Sequence, residues 1–129
     1  MDKPQQEIRQ VFDDFAGAFA TFDGRRVGRL FAAPGIALRQ DGSLLGFSTH
    51  SDVERYYQTA LDSYRNAGCK SCTYADLDIQ FLNTSTAVAT ATWDLVREDG
   101  AIVRRWRQAY FMSRIDGAWR IFGSAFVSS

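Results

Sequence analysis

The chain has 129 residues, 14% of them aromatic, and its 15 lysines and arginines balance 15 aspartates and glutamates. That balance argues against the basic footprint of a nucleic-acid binder and against an acidic tail. The length suits one domain, residues 1–129, with a core that needs neither metal nor disulfide, so no cofactor is expected.

The first residues, Met1-Asp2-Lys3-Pro4-Gln5-Gln6-Glu7, are polar and lack the apolar stretch of a signal peptide. No later apolar run approaches the length needed to cross a bilayer. A cytoplasmic protein without a membrane partner is the expectation.

Ile8, Phe12, Phe15, Phe19 and Phe22 recur at helical spacing beside Val11 and Ala16, which predicts an amphipathic helix over about residues 5 to 22. Asp23 then reads as the N-cap of a short helix through Val27, Leu30 and Phe31, stopped by Pro34-Gly35. Ile36-Ala37-Leu38-Arg39 and Leu44-Leu45-Gly46-Phe47 flank Gln40-Asp41-Gly42-Ser43 and predict a hairpin, because Gly accepts the positive φ of a tight turn. Ser51 and Glu54 have capping-box spacing. They open a second long helix whose apolar positions are Val53, Tyr56, Tyr57, Ala60, Leu61 and Tyr64, and which ends at Gly68. The lone histidine, His50, precedes that cap and reads as a solvated loop residue.

Cys69-Lys70-Ser71-Cys72 has the spacing of a redox pair or half a zinc site. Zinc would need two further ligands, and a thioredoxin-like pair opens a helix rather than following one. The favoured reading is a loop carrying two reduced thiols. From Tyr74 to Leu82 the residues alternate, with Leu77, Ile79 and Phe81 on one side and Asp76, Asp78 and Gln80 on the other, as in a half-exposed strand. Asp76 and Asp78 read as a solvated edge.

The last third is a meander around two Asp-Gly turns, Asp99-Gly100 and Asp116-Gly117. If each pair is a two-residue loop, Trp93 faces Trp106, Asp94 faces Arg105, Thr92 faces Arg107, Ala89 faces Tyr110, Met112 faces Ile121 and Tyr110 faces Gly123. One face then collects Ala89, Ala91, Trp93, Trp106, Gln108, Tyr110, Met112, Trp119, Ile121, Gly123 and Ala125, a wall of large aromatics with hollows. The other collects Val88, Thr90, Thr92, Asp94, Arg105, Arg107, Phe111, Phe122, Ser124 and Phe126. Its Phe-rich end predicts a homodimer contact through Val88, Phe111, Phe122 and Phe126.

Helix, short helix, hairpin, helix and four antiparallel strands make an α+β domain. In that order Phe22-Asp23, Val27, Leu30-Phe31-Ala32, Asp41-Gly42, Gly46, Val53, Tyr56-Tyr57, Thr86-Ala87-Val88-Ala89 and Asp116-Gly117-Ala118-Trp119-Arg120-Ile121 resemble the nuclear transport factor 2 superfamily. The likeness is to its SnoaL-like and ketosteroid-isomerase-like branch. The resemblance implies a cone: a curved antiparallel sheet with three helices from the N-terminal half packed in its concavity. Superfamily members include isomerases, cyclases, dehydratases, transport factors and oligomerising domains, so the fold alone does not give a function.

In ketosteroid isomerase a tyrosine on the first helix and a protonated aspartate bind the oxyanion, and a second aspartate is the base. Aligned on this sequence, the tyrosine position falls on Phe15 and the base position on Arg39, neither of which can do that work. Many relatives also carry a histidine on the last strand, where this chain has Phe122-Gly123-Ser124-Ala125.

The resemblance therefore implies a pocket for a small apolar molecule lined by Phe15, Phe19, Arg39, Tyr56, Trp93, Trp106, Gln108, Tyr110 and Gly123. Three functions stay open. The first is ligand binding by a homodimer. The second is a SnoaL-like isomerase, cyclase or dehydratase that polarises a carbonyl with Tyr110, Gln108 and Arg39. The third is an interaction module with a vestigial pocket.

Overall fold

The computed structural model describes residues 2–128. Helices α1 (Lys3–Thr21), α2 (Gly24–Gly28) and α3 (His50–Asn66) pack on one face of a curved, open six-stranded sheet. Its strands are β1 (Phe31–Leu38), β2 (Leu44–Phe47), β3 (Cys69–Asn83), β4 (Thr86–Arg97), β5 (Ile102–Ile115) and β6 (Ala118–Ser128), in the order β2-β1-β6-β5-β4-β3. No described helix is long and apolar enough to cross a membrane.

The expected α+β architecture is present, with one correction: the sheet is mixed, because β1 runs parallel to β6. Phe31 therefore ends no helix. The short helix stops at Gly28, and Phe31 starts a strand whose inner residues Phe31 and Ala37 are buried. Pro34-Gly35 lies inside β1, where the ladder to β6 is interrupted between Phe31 and Ile36; a residue without an N–H fits such a break.

Helix α1 buries Ile8, Phe12, Phe15 and Phe19, the stripe its spacing predicts. On its outer side Gly17 is exposed, and a Cβ there would meet nothing within 4 Å. Gly17→Ala should therefore stabilise the protein by about 0.5–1 kcal/mol through helix propensity alone. A raised urea midpoint with unchanged m checks this, and a lowered midpoint would refute it.

The capping box of α3 lies two residues earlier than expected. Thr49 is the N-cap and accepts from the Asp52 N–H, while the Asp52 carboxylate accepts from the Thr49 and Ser48 N–H groups at 3.1 and 3.0 Å. Those backbone bonds hold the Asp52 carboxyl below the usual carboxylate range. His50 thus sits in the first turn rather than in a loop, and though exposed as read, its Nε2–H donates to the Phe31 carbonyl at 2.9 Å, tying α3 to β1.

Cys69 and Cys72 lie on a strand, not a loop. A register shift between Cys69 and Ser71 turns both side chains inward, where both are buried and unlinked. Burial pushes the Cys72 thiol up, which suppresses the reactive thiolate. Further on, Leu77, Ile79 and Phe81 face the core while Asp76, Asp78 and Gln80 stay exposed, as read. An irregularity between Ala75 and Asp78, with Asp76 at φ 54°, changes only the start of that run, where Tyr74 also turns to the core.

The pairing of β4 with β5 is as read: Trp93 with Trp106, Asp94 with Arg105, Thr92 with Arg107 and Ala89 with Tyr110. The first turn is nevertheless one residue longer, since Arg97 pairs with Ala101. An extra residue on β5, between Arg104 and Ile102, restores the register. Asp94 receives the Arg105 fork at 2.6 and 2.8 Å, which holds its carboxyl below the usual range.

The pairing of β5 with β6 departs further along. Met112 faces Ile121, but a bulge at Phe122 then sets Gly123 opposite Phe111, Ser124 opposite Tyr110 and Phe126 opposite Gln108. A one-residue bulge exchanges the faces of everything beyond it. Gly123 and Ala125 therefore leave the helix-facing side, and Ser124 and Phe126 join it.

Candidate functional site

A cavity of about 40 Å³ lies between the helices and the sheet. Phe15 and Phe19 of α1, Tyr56, Tyr57, Ala60 and Tyr64 of α3, Trp106, Gln108 and Tyr110 of β5, and Phe126 of β6 line it. The placement follows from two periodicities. Residues four apart on α1 present Phe15 and Phe19 to the sheet, and residues two apart on β5 return Trp106, Gln108 and Tyr110 to the same side.

The walls are aromatic and closely packed. Phe15 stacks on Phe19 at 5.1 Å and meets Tyr110 edge-on at 5.7 Å and Tyr57 at 6.0 Å. Such offset and edge contacts favour ring pairs beyond simple area burial. Trp93 lies behind this wall, fully buried against Phe12, Phe15 and Phe19 with centroids at 6.2, 5.2 and 5.6 Å.

Polarity inside is sparse. The Trp106 indole N–H donates to Gln108 Oε1 at 2.9 Å, which leaves the Gln108 amide N–H groups as donors. Tyr110 is 2% exposed, and burial holds its phenol well above the usual range, opposed by the nearby Trp93 N–H. The buried Trp93 N–H has no hydrogen-bond partner among the described residues. Burial also raises Tyr56 and Tyr57, and pushes Tyr64 up to about 12. At neutral pH these four phenols are uncharged donors, and the cavity lining contains no group able to take a proton as a base.

The structure thus brings Phe15, Phe19, Tyr56, Trp106, Gln108 and Tyr110 together at one cavity and sets Trp93 beneath them. Two residues fall elsewhere. Gly123 lies on the outer face, where an added Cβ would meet the Phe111 ring at 3.3 Å and the Ile36 carbonyl at 3.4 Å. Arg39 stands at the β1–β2 turn, with its Nε donating to Ser43 Oγ at 2.9 Å, and only its electrostatic influence reaches Tyr56.

Sequence reading missed Tyr57, Ala60 and Tyr64, although their helical spacing was visible. It also missed Phe126, which the bulge at Phe122 delivers. Among the described residues, no three His, Cys, Asp or Glu side chains converge on a common metal site.

The sequence matches the family described as NTF2-like protein (DUF6841) over residues 6–129. The chain belongs to this NTF2-like family. No curated protein matches it.

Solved structures share the fold at low identity. Aln2 from a Streptomyces species is 14% identical over 99% of this chain and 92% of its own, with a TM-score of 0.81. A protein of Xanthomonas campestris, provisionally described as a calcium/calmodulin dependent protein kinase II association domain, is 20% identical over 99% and 89%, with a TM-score of 0.74. An NTF2-like protein of Streptomyces avermitilis, provisionally described as a dehydratase, is 14% identical over 96% and 95%, with a TM-score of 0.72. At these identities the likeness is one of fold, and this NTF2-like chain's chemistry rests on its own cavity.

Proposed function

We propose that this NTF2-like protein binds a small, largely apolar molecule carrying a hydrogen-bond acceptor. The observation behind this reading is a buried aromatic cavity whose polar groups are donors without acceptors: the Gln108 amide and the Tyr110 hydroxyl, with the unpartnered Trp93 N–H behind them. An apolar enclosure with a few convergent polar groups is how small-molecule sites are built. A volume of about 40 Å³ has room for about three waters. Half-buried Tyr56 and Phe126 must therefore swing outward to admit a ligand, and side-chain changes of that size are common on binding.

Absence of a base among the lining residues favours binding over the proton transfers of an isomerase or dehydratase. Titrating the protein with cyclohexanone, a compact ketone, tests the reading through the indole N–H resonance of Trp106. A saturable shift that disappears in the cavity-filling Ala60→Phe is expected. No shift at millimolar ketone, together with no small molecule released from the purified protein in mass spectrometry, would overturn it.

We propose further that two copies pair through the outer face of the sheet. Phe111 and Phe122 are 36% and 37% exposed with ring centroids 6.2 Å apart, and Ile36 and Leu38 of β1 extend the same patch at 47% and 37%. Val88, opposite Phe111, continues it, whereas Phe126 has turned to the cavity. A twofold pairing would set apolar centre on apolar centre and keep the Asp94–Arg105 pair at the rim. Sedimentation equilibrium should show a wild-type dimer and a monomeric Phe111→Arg. A monomeric wild type at tens of micromolar would exclude the pairing.

A further inference from the structure

Arg104 enters the sheet opposite Leu95, whose side chain is 5% exposed, and two residues before Trp106, so its side chain shares the helix-facing side with the cavity. The guanidinium stacks on two lining residues at once, with its carbon 4.9 Å from the Trp106 ring centroid and 5.7 Å from that of Phe126. Its charge is also felt by the Tyr64 hydroxyl. Arg104 thus stands at the mouth between β5, β6 and α3, the position for which the sequence had offered Arg39.

What Arg104 lacks is a carboxylate. Arg25, Arg55 and Arg105 each pair with an aspartate, whereas Arg104 is in no ion pair among the described residues. Its one hydrogen bond runs from Nη2 to the neutral amide oxygen of Gln40 in the β1–β2 turn. Among the described residues Nη2 alone is engaged, so Nε and Nη1 remain open donors beside the two rings. An arginine packed against two aromatic rings, with two donors open and no carboxylate partner, is suited to receive a planar anion through N–H···O bonds.

We propose that the cavity selects small, flat monocarboxylates, the carboxylate paired with Arg104 at the mouth and the apolar body inserted past Trp106 and Phe126 toward Tyr110. This rests on the ligand-binding reading above and adds the ligand's charge class and the residue that reads it. The Gln40 amide is the placeholder that the carboxylate displaces, so binding also releases the β1–β2 turn from β5.

Phenylacetate and the uncharged 2-phenylacetamide differ by little more than the charge, and together they test the assignment by NMR titration. Phenylacetate should bind about tenfold more tightly or better, shifting the Trp106 indole and Arg104 Nε–H resonances. In Arg104→Gln, a half-exposed change that leaves the core intact, the preference should fall to about threefold or less while the amide still binds. Equal binding of the two probes to wild type would overturn the role of Arg104 and leave the cavity reading standing. Binding of neither would overturn both. Tight phenylacetate binding that leaves Trp106 unshifted and survives Ala60→Phe would place the anion on another arginine and end the proposal.

Discussion

Replacing Trp93 with alanine is expected to lower the unfolding free energy by about 3–5 kcal/mol, the range for removing a large buried aromatic side chain. Trp93 is 0% exposed, faces Trp106 across β4 and β5, and touches the rings of Phe12, Phe15, Phe19 and Tyr74. The rings around it belong to α1 and β3, so a void there loosens the helix that carries two cavity-lining phenylalanines. Trp93→Phe should cost far less, about 1–2 kcal/mol, for two reasons that act in the same direction. Phenylalanine keeps part of the ring packing, and it removes the buried indole N–H, whose lack of a partner itself costs about 1–3 kcal/mol. Urea midpoints of the two variants, with m unchanged, measure the difference. If Trp93→Ala costs less than about 1 kcal/mol, the ring cluster does not organise this core.

Much of this architecture was legible because the side chains themselves impose it. The phenylalanine stripe of α1 survives as read, since a helix must bury a face that apolar. The opposition of Trp93 to Trp106 was read correctly although its premise was wrong. The first turn is a residue longer than assumed, and an extra residue on β5 offsets it before the aromatics begin. On β6 the next shift comes only beyond Phe126, too late to offset the bulge at Phe122, which moved Gly123 out of the cavity and Phe126 into it.

Bulges are set by how two strands twist together over a packed core, and no local residue pattern announces the one at Phe122. The start of β1 was illegible for a related reason. Phe31 joins the sheet because β6, at the far end of the chain, offers it a parallel ladder, with Ile121 N–H donating to the Leu30 carbonyl at 2.9 Å. Arg104 was hidden among neighbouring arginines, and only the fold separates the one at the cavity mouth from Arg105 and Arg107 on the outer face.

Gly24→Ala is the second large effect expected, about 2–3 kcal/mol of destabilisation from a single methyl group. Helix α2 lies so close to α3 that a Cβ on Gly24 would sit 2.5 Å from the Glu54 carbonyl oxygen and 2.8 Å from the Gln58 backbone nitrogen. Both are backbone atoms inside a helix, so neither can give way without moving α3. The contact is also pinned: Gln58 Oε1 accepts from the Gly24 N–H at 2.8 Å, and its Nε2 donates to the Phe22 carbonyl at 3.0 Å.

Gly28, one turn on, provides the control. A Cβ there would meet the Glu54 side chain at 2.8 Å, and its nearest backbone atom would be 3.8 Å away. Gly28→Ala should therefore be largely rescued by Glu54→Ala, while Gly24→Ala should not, because the obstructing oxygen remains in every Glu54 variant. Chemical denaturation of the single and double variants reads the difference directly. Helix α3 carries Tyr56, Tyr57, Ala60 and Tyr64, so Gly24→Ala should also weaken phenylacetate binding when it is folded, whereas Gly28→Ala with Glu54→Ala should not. Rescue of Gly24→Ala by Glu54→Ala would mean that α2 rests on the Glu54 side chain and that the close backbone approach does not set the position of α3.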